Sequence, residues 1–360
     1  MVKVVIVNKI KSLYKKNNRK KTLLLYILII ILIILFISSL FIGQGGLSPI
    51  DVLKALFNIG DDTNKLIVYN MRFPRVLTAL ICGGGLAISG CVMQRVLNNP
   101  MASPTTLGVS NASVFGVNLA LLLIGLFGSS TGFFNVNNPY LISMFSFIFS
   151  ILATLLILSL YKYKKFSKET IILSGVALGT IFEAATIIIQ FFATDEFVSS
   201  AIFFTFGSLT RVNYEEIIII SVIVFISFLF FYLNKWNYKA LGSGSSFAKT
   251  NGINVNRLTI ISLLLSSVIT AVIVSFVGII GFLGLIAPQI IRRIIGDDFK
   301  YLLPSSFLLG SILLIIADDI SRVLIFGMNL PVGAITSLVG GFIFIYLILE
   351  KRGNKNEIKN

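Results

Sequence analysis

The chain has no histidine and only two cysteines among its 360 residues. The first absence removes the commonest metal ligand, the usual haem axial ligand and the usual proton shuttle at neutral pH. Together the two shortages exclude a Cys/His metal cluster and a histidine-dependent catalytic triad. Cys82 and Cys91 lie nine residues apart in one apolar segment. At about 100° per residue they fall on opposite faces of a helix, where they cannot bridge and are expected to pack as small side chains. No Gly-Lys pair occurs anywhere, so a Gly-x-x-x-x-Gly-Lys-Ser/Thr phosphate loop is absent as well. If this chain moves a solute uphill, the energy has to come from an ion gradient or from a second chain that hydrolyses nucleotide. Charge is scarce too. At 12% charged residues, no polar stretch is long enough to form a separate soluble domain.

What the chain has instead is apolar residue, 56% of the total, in runs of about twenty broken by short basic loops. Such a run crosses the ~30 Å hydrocarbon core as a helix, because lipid offers no partner to a free backbone amide. The fold class is therefore all-α, a polytopic membrane protein with about ten transmembrane helices. Spans are expected near 22–42, 74–94, 106–127, 140–160, 170–192, 215–233, 259–278, 281–295, 304–322 and 330–349. The eighth is short and holds Pro288, which suggests a broken or half-depth helix. The lysine-rich start precedes an apolar run about twice as long as a signal-peptide core, with no clear cleavage site after it, so a retained first span is expected. The organisation is a basic cytoplasmic extension over 1–21, a transmembrane domain over 22–350 and a cytoplasmic tail over 351–360.

Charge orients the bundle. With both termini cytoplasmic, 24 of the 30 Lys and Arg fall on the inner side. The outer six are Lys54, Lys65, Arg72, Arg75, Arg211 and Arg322. This asymmetry fits the positive-inside pattern of a multi-pass protein of the cytoplasmic membrane, and the clustering beside apolar runs argues against nucleic-acid binding. Arg72, Arg75 and Arg322 sit at outer span ends and need an explanation: interfacial snorkelling or contact with a partner. Asp318 is four residues before Arg322, so a local ion pair is allowed. Glu183 is an ionisable group deep in the fifth span, either lining a cavity or kept neutral locally. In the second span Ala79, Gly83, Ala87 and Cys91 recur every fourth residue, a face that lets helix backbones approach closely, and Gly340 and Gly341 suit the same purpose. The longest inner loop, Asn234 to Leu258, carries Gly242, Gly244 and Gly252 around a short helical segment and is favoured as a docking element for a cytoplasmic partner.

Two long motifs then resemble the FecCD-type permeases, the membrane subunits of ABC importers for iron–siderophore complexes, haem and vitamin B12. The first is MRFPRVLTALICGGGLAISGCVMQRVLNNPMASPTTLGVSNASVFG at 71–116. The second is GIIGFLGLIAPQIIRRII at 278–295, followed by ADDISR at 317–322 and LPVG at 330–333. The resemblance covers the chain from the first span onward and implies the type II ABC importer permease fold. It implies a dimer with a second permease subunit, a copy or a relative. It further implies two ATPase subunits, an extracytoplasmic solute-binding protein, and no cofactor or catalytic residue on this chain. Arg72 and Arg75 of the R-x-P-R motif, with Arg322, correspond to the charges that dock the binding protein. Loop 238–258 corresponds to the coupling helices, with Ala240, Gly242, Gly244, Phe247 and Gly252 facing the ATPase. Gly175, Gly179 and Glu183 lie on or near the translocation path. Two positions depart from the family pattern: Gln289 stands where histidine is common, and Asn329 where glutamate is. The implied function is import of an iron(III)–siderophore complex. Haem or vitamin B12 import is the alternative within the family, and an ion-driven carrier or a membrane-embedded enzyme outside it.

Overall fold

A computed structural model describes residues 2–43, 46–127, 140–164, 168–324 and 330–357. The described residues form helices and connecting turns, with no strand. In chain order the α-helices are α1 (Val2–Phe41), α2 (Pro49–Leu56), α3 (Asp62–Leu66), α4 (Phe73–Leu97), α5 (Val109–Phe127), α6 (Tyr140–Lys164), α7 (Lys168–Phe191) and α8 (Asp195–Thr205). They continue as α9 (Tyr214–Leu233), α10 (Lys235–Gly242), α11 (Ser245–Thr250), α12 (Val255–Val277), α13 (Leu283–Ile295), α14 (Phe299–Val323) and α15 (Val332–Glu357). A π-helical stretch, Ile67–Arg72, joins α3 to α4.

Among the described residues, eight stretches are long and apolar enough to cross a membrane: Asn18–Phe41, Asp62–Leu97, Val109–Leu126, Tyr140–Tyr161, Glu169–Phe191, Tyr214–Leu233, Val255–Val277 and Phe299–Val323. The other two expected spans fall on shorter apolar stretches. The 13 residues of α13 reach about 20 Å at 1.5 Å per residue, well short of the hydrocarbon thickness. Its start is set by Phe282, which holds a left-handed backbone conformation with φ of 64°. The apolar part of α15 is Val332–Tyr346.

The core forms around α4. Burial reaches 83% in the apolar window of Asp62–Leu97, against 22% in that of α1 and 28% in that of α7. The small-residue face explains the difference. A Cβ on Gly83 would overlap the backbone carbonyl of Gly310 in α14, and one on Gly90 would overlap the carbonyl of Gly284 in α13. Backbone-to-backbone approach brings many weak dispersion contacts into play, which matters where no hydrophobic effect separates helices from lipid. Cys82 and Cys91 are buried free thiols in this packing. Gly340 likewise meets Phe282, but Gly341 faces open space and takes no part.

Candidate functional site

Helices α4 and α14 pack antiparallel, so residues twenty apart on each lie at opposite ends of the bundle. One end holds Arg72, Arg75 and Arg322. The other holds Arg95, Arg292, Lys21 and the α10–α11 hairpin.

At the first end, the π-helical stretch runs without a break into α4, and Pro74 near that junction has an arginine on either side, Arg72 and Arg75. The Nε of Arg75 donates to both Asp318 carboxylate oxygens, at 2.9 and 3.1 Å, and its Nη2 lies 2.8 Å from Oδ1. Arg322 pairs with the same carboxylate along its own helix, as the four-residue spacing allows. Its Nη1 also donates to the Ser39 and Ile42 carbonyls at the end of α1, at 3.1 and 2.9 Å. Arg72 Nη1 donates to the Leu40 carbonyl at 2.9 Å, and Ser39 Oγ donates to Asp319 at 2.5 Å. Asp318 is 0% exposed, and Arg72, Arg75 and Arg322 only 5, 8 and 5%. Interfacial snorkelling, one of the two explanations the sequence offered, does not account for them: these arginines turn inward and tie α1, α4 and α14 together. A buried carboxylate is tolerable here because two guanidiniums neutralise it. The Nη2 of Arg72 is buried with no hydrogen-bond partner.

At the opposite end, Gly244 turns α10 into α11 with φ of +121°, and Gly252 follows α11 with φ of +77°. Residues 242–247 are exposed, Phe247 by 53%, while Ala240 is half-buried. Beneath them sits a polar knot that the sequence did not single out. Arg95, at the end of α4, donates to both carboxylate oxygens of Asp297, at 2.8 and 2.7 Å, and to its carbonyl at 2.9 Å. Arg292 donates to Asp297 at 2.9 Å and to Gln94 at 3.1 Å. Gln94 in turn donates to the Gly284 and Leu285 carbonyls at the start of α13. A Cβ on Gly242 would overlap the Arg95 guanidinium, so α10 rests directly on this pair. Tyr238 of α10 stacks on Phe299 of α14 at 4.5 Å between ring centroids and shares a 2.6 Å hydrogen bond with Ser262 of α12. Burial pushes the Tyr238 phenol well above its ordinary pKa and keeps it neutral. The available signal was the acidic pair Asp297–Asp298 directly after the basic pair Arg292–Arg293; Lys21 takes Asp298 at 3.4 Å.

The three positions on α7 separate. Gly175 and Gly179 are buried against the turn at Leu107 and Gly108, where a Cβ on Gly175 would overlap backbone, and Asn111 donates to the Gly179 carbonyl at 3.1 Å. Glu183 is exposed, on a helix whose outward residues include Leu173, Ile181 and Phe191. Among the described residues, no group of three or more His, Cys, Asp or Glu is placed to hold a metal ion.

Comparison with known proteins agrees with this architecture. The FecCD transport family matches residues 31–350. A protein of Methanocaldococcus jannaschii named as an ABC transporter permease is 41% identical over 320 residues, covering 88% of this chain and 92% of that protein. The Fe(3+)-citrate import permease of Bacillus subtilis is 32% identical, covering 87 and 91%. The molybdate import permease of Haemophilus influenzae is 30% identical, covering 89 and 94%. A solved inward-facing ABC transporter, described as metal-chelate type, superposes with a TM-score of 0.78 at 27% identity, over 91% of this chain and 98% of that one. This chain belongs to the FecCD transport family and is a permease subunit of an ABC importer.

Proposed function

We propose that this permease moves an iron(III)–siderophore chelate across the cytoplasmic membrane by alternating access, with both termini on the cytoplasmic side. The observation that carries the mechanism is the seating of α10 on Arg95, which links an exposed hairpin to α4, α13 and α14 at once. Two ATPase subunits push on Ala240, Gly242, Gly244, Phe247 and Gly252, and the push reaches the bundle through that knot. The exposed face of α7 with Glu183 meets a second permease subunit, a copy or a relative, and borders the path. Gly175 and Gly179 set the distance of α7 from α5 and so shape the path from behind. The cargo reading draws on the relative named for Fe(3+)-citrate import. The relative named for molybdate import supports a second reading, an oxyanion cargo.

The arginine end receives the extracytoplasmic solute-binding protein. Acidic side chains of that protein exchange with Asp318 for Arg75 and Arg322, and docking uncovers the Nη2 of Arg72, which is buried and without a hydrogen-bond partner before it. The test is uptake in proteoliposomes holding this chain, the ATPase and the binding protein from neighbouring genes. ATP-dependent accumulation of a labelled ferric siderophore is expected, and Arg72→Gln, which keeps a donor for the Leu40 carbonyl and drops the charge, is expected to weaken it at unchanged protein level. Accumulation of molybdate or haem alone overturns the cargo. Uptake without the ATPase supports an ion-driven carrier instead.

A further inference from the structure

We infer that the basic end of α1 and the groove below it form a binding site for one anionic phospholipid. The groove, about 380 Å³, runs between three helices: Thr22, Leu25, Tyr26 and Ile29 from α1, Phe228 from α9, and Pro304, Phe307 and Leu308 from α14. Its floor is aromatic, with the Phe228 and Phe307 rings 6.0 Å apart. On the same stripe of α1, one and two turns earlier, Arg19 and Lys15 border a second recess that shares Thr22 and Tyr26 with the first. Both basic side chains are exposed.

Other cations stand around the mouth. Lys235 lies 4.1 Å over the Tyr232 ring, which stacks on Phe228, and Lys300 lies one turn before Pro304 on α14. The nearby carboxylate of Asp298 is already engaged by Lys21, so it leaves the mouth positive. From Arg19 to Ile29 the helix rises about 15 Å, the hydrocarbon depth of one leaflet. A phosphate at Arg19 and Lys15 therefore puts an acyl chain along Leu25, Ile29, Phe228 and Leu308. Charge above and apolar aromatic surface below, at that spacing, match a phosphodiester lipid and do not suit a free anion, which leaves the groove empty. Each cation near an anionic headgroup is worth about fivefold in affinity.

The test is native mass spectrometry of the full chain in detergent, titrated with dioleoyl phosphatidylglycerol or dioleoyl phosphatidylcholine. The anionic lipid is expected to bind at least about tenfold tighter. Lys15→Ala with Arg19→Ala, both surface changes, is expected to lower that preference at least about tenfold. Ile29→Trp, which fills the groove, is expected to weaken both lipids. Inorganic phosphate is expected not to compete. Equal binding of the two lipids overturns the site, as does a double variant that keeps the preference. Displacement by inorganic phosphate assigns the cations to a free anion and overturns it too.

Discussion

Asp318 is the residue on which the arginine end depends. Its carboxylate pairs with two guanidiniums that are less than one-tenth exposed, so Asp318→Ala leaves both buried with that ion pair gone. Removing one partner of a buried pair costs about 3–5 kcal/mol. A large fall in the unfolding temperature of the purified protein is therefore expected, and a change of only a degree or two would exclude the network as a structural tie. Arg95 and Asp297 offer the complementary case, because the partners sit on different elements. Arg95→Asp alone is expected to uncouple ATP hydrolysis from uptake, and Arg95→Asp with Asp297→Arg to recover part of the coupling. Failure of the double variant to exceed the single one would argue against a specific pair. The sequence pointed to Asp318 through its spacing from Arg322 and missed Arg95 altogether. The i, i+4 relation is local, whereas Arg95 meets Asp297 across two hundred residues.

At the scale of elements, α4 fits its neighbours only because its contact face has almost no side chains. Gly90→Leu is expected to destabilise the protein by about 1–3 kcal/mol or to block its assembly, since a side chain there meets backbone that cannot rotate away. Gly341→Ala, with nothing within reach of a Cβ, is expected to leave stability unchanged or slightly improved. Parallel thermal scans of the two variants check both. The α10–α11 hairpin behaves oppositely. Phe247 is exposed, so Phe247→Ala is expected to spare the fold while weakening co-purification with the ATPase. Hydropathy located the long helices, and the brevity of the 281–295 run with its Pro288 marked the 13-residue α13 as less than a full span. It gave no sign of α2 or α8, whose segments hold no long apolar run.

Across the whole molecule, the two charge sets segregate to opposite ends of an antiparallel helix pair. Single cysteines introduced at Asp62 and Lys249, both exposed, are expected to react with an impermeant maleimide from opposite sides of the membrane. Labelling from one side at both positions would undo the topology. The long spans themselves were legible because insertion depends on local sums, above all the apolar length of each run. The same holds for the small-residue face of α4, whose period is a property of one helix. By itself, the sequence determined that this is a helical membrane protein, where its spans lie and which motifs it shares with a permease family. Only the tertiary structure decided that Arg72, Arg75 and Arg322 point inward, that Gly175 and Gly179 pack while Glu183 stands exposed, and that the hairpin rests on Arg95. Each of these depends on which distant backbone comes within a few ångströms of a side chain, and no local pattern along the chain encodes that distance.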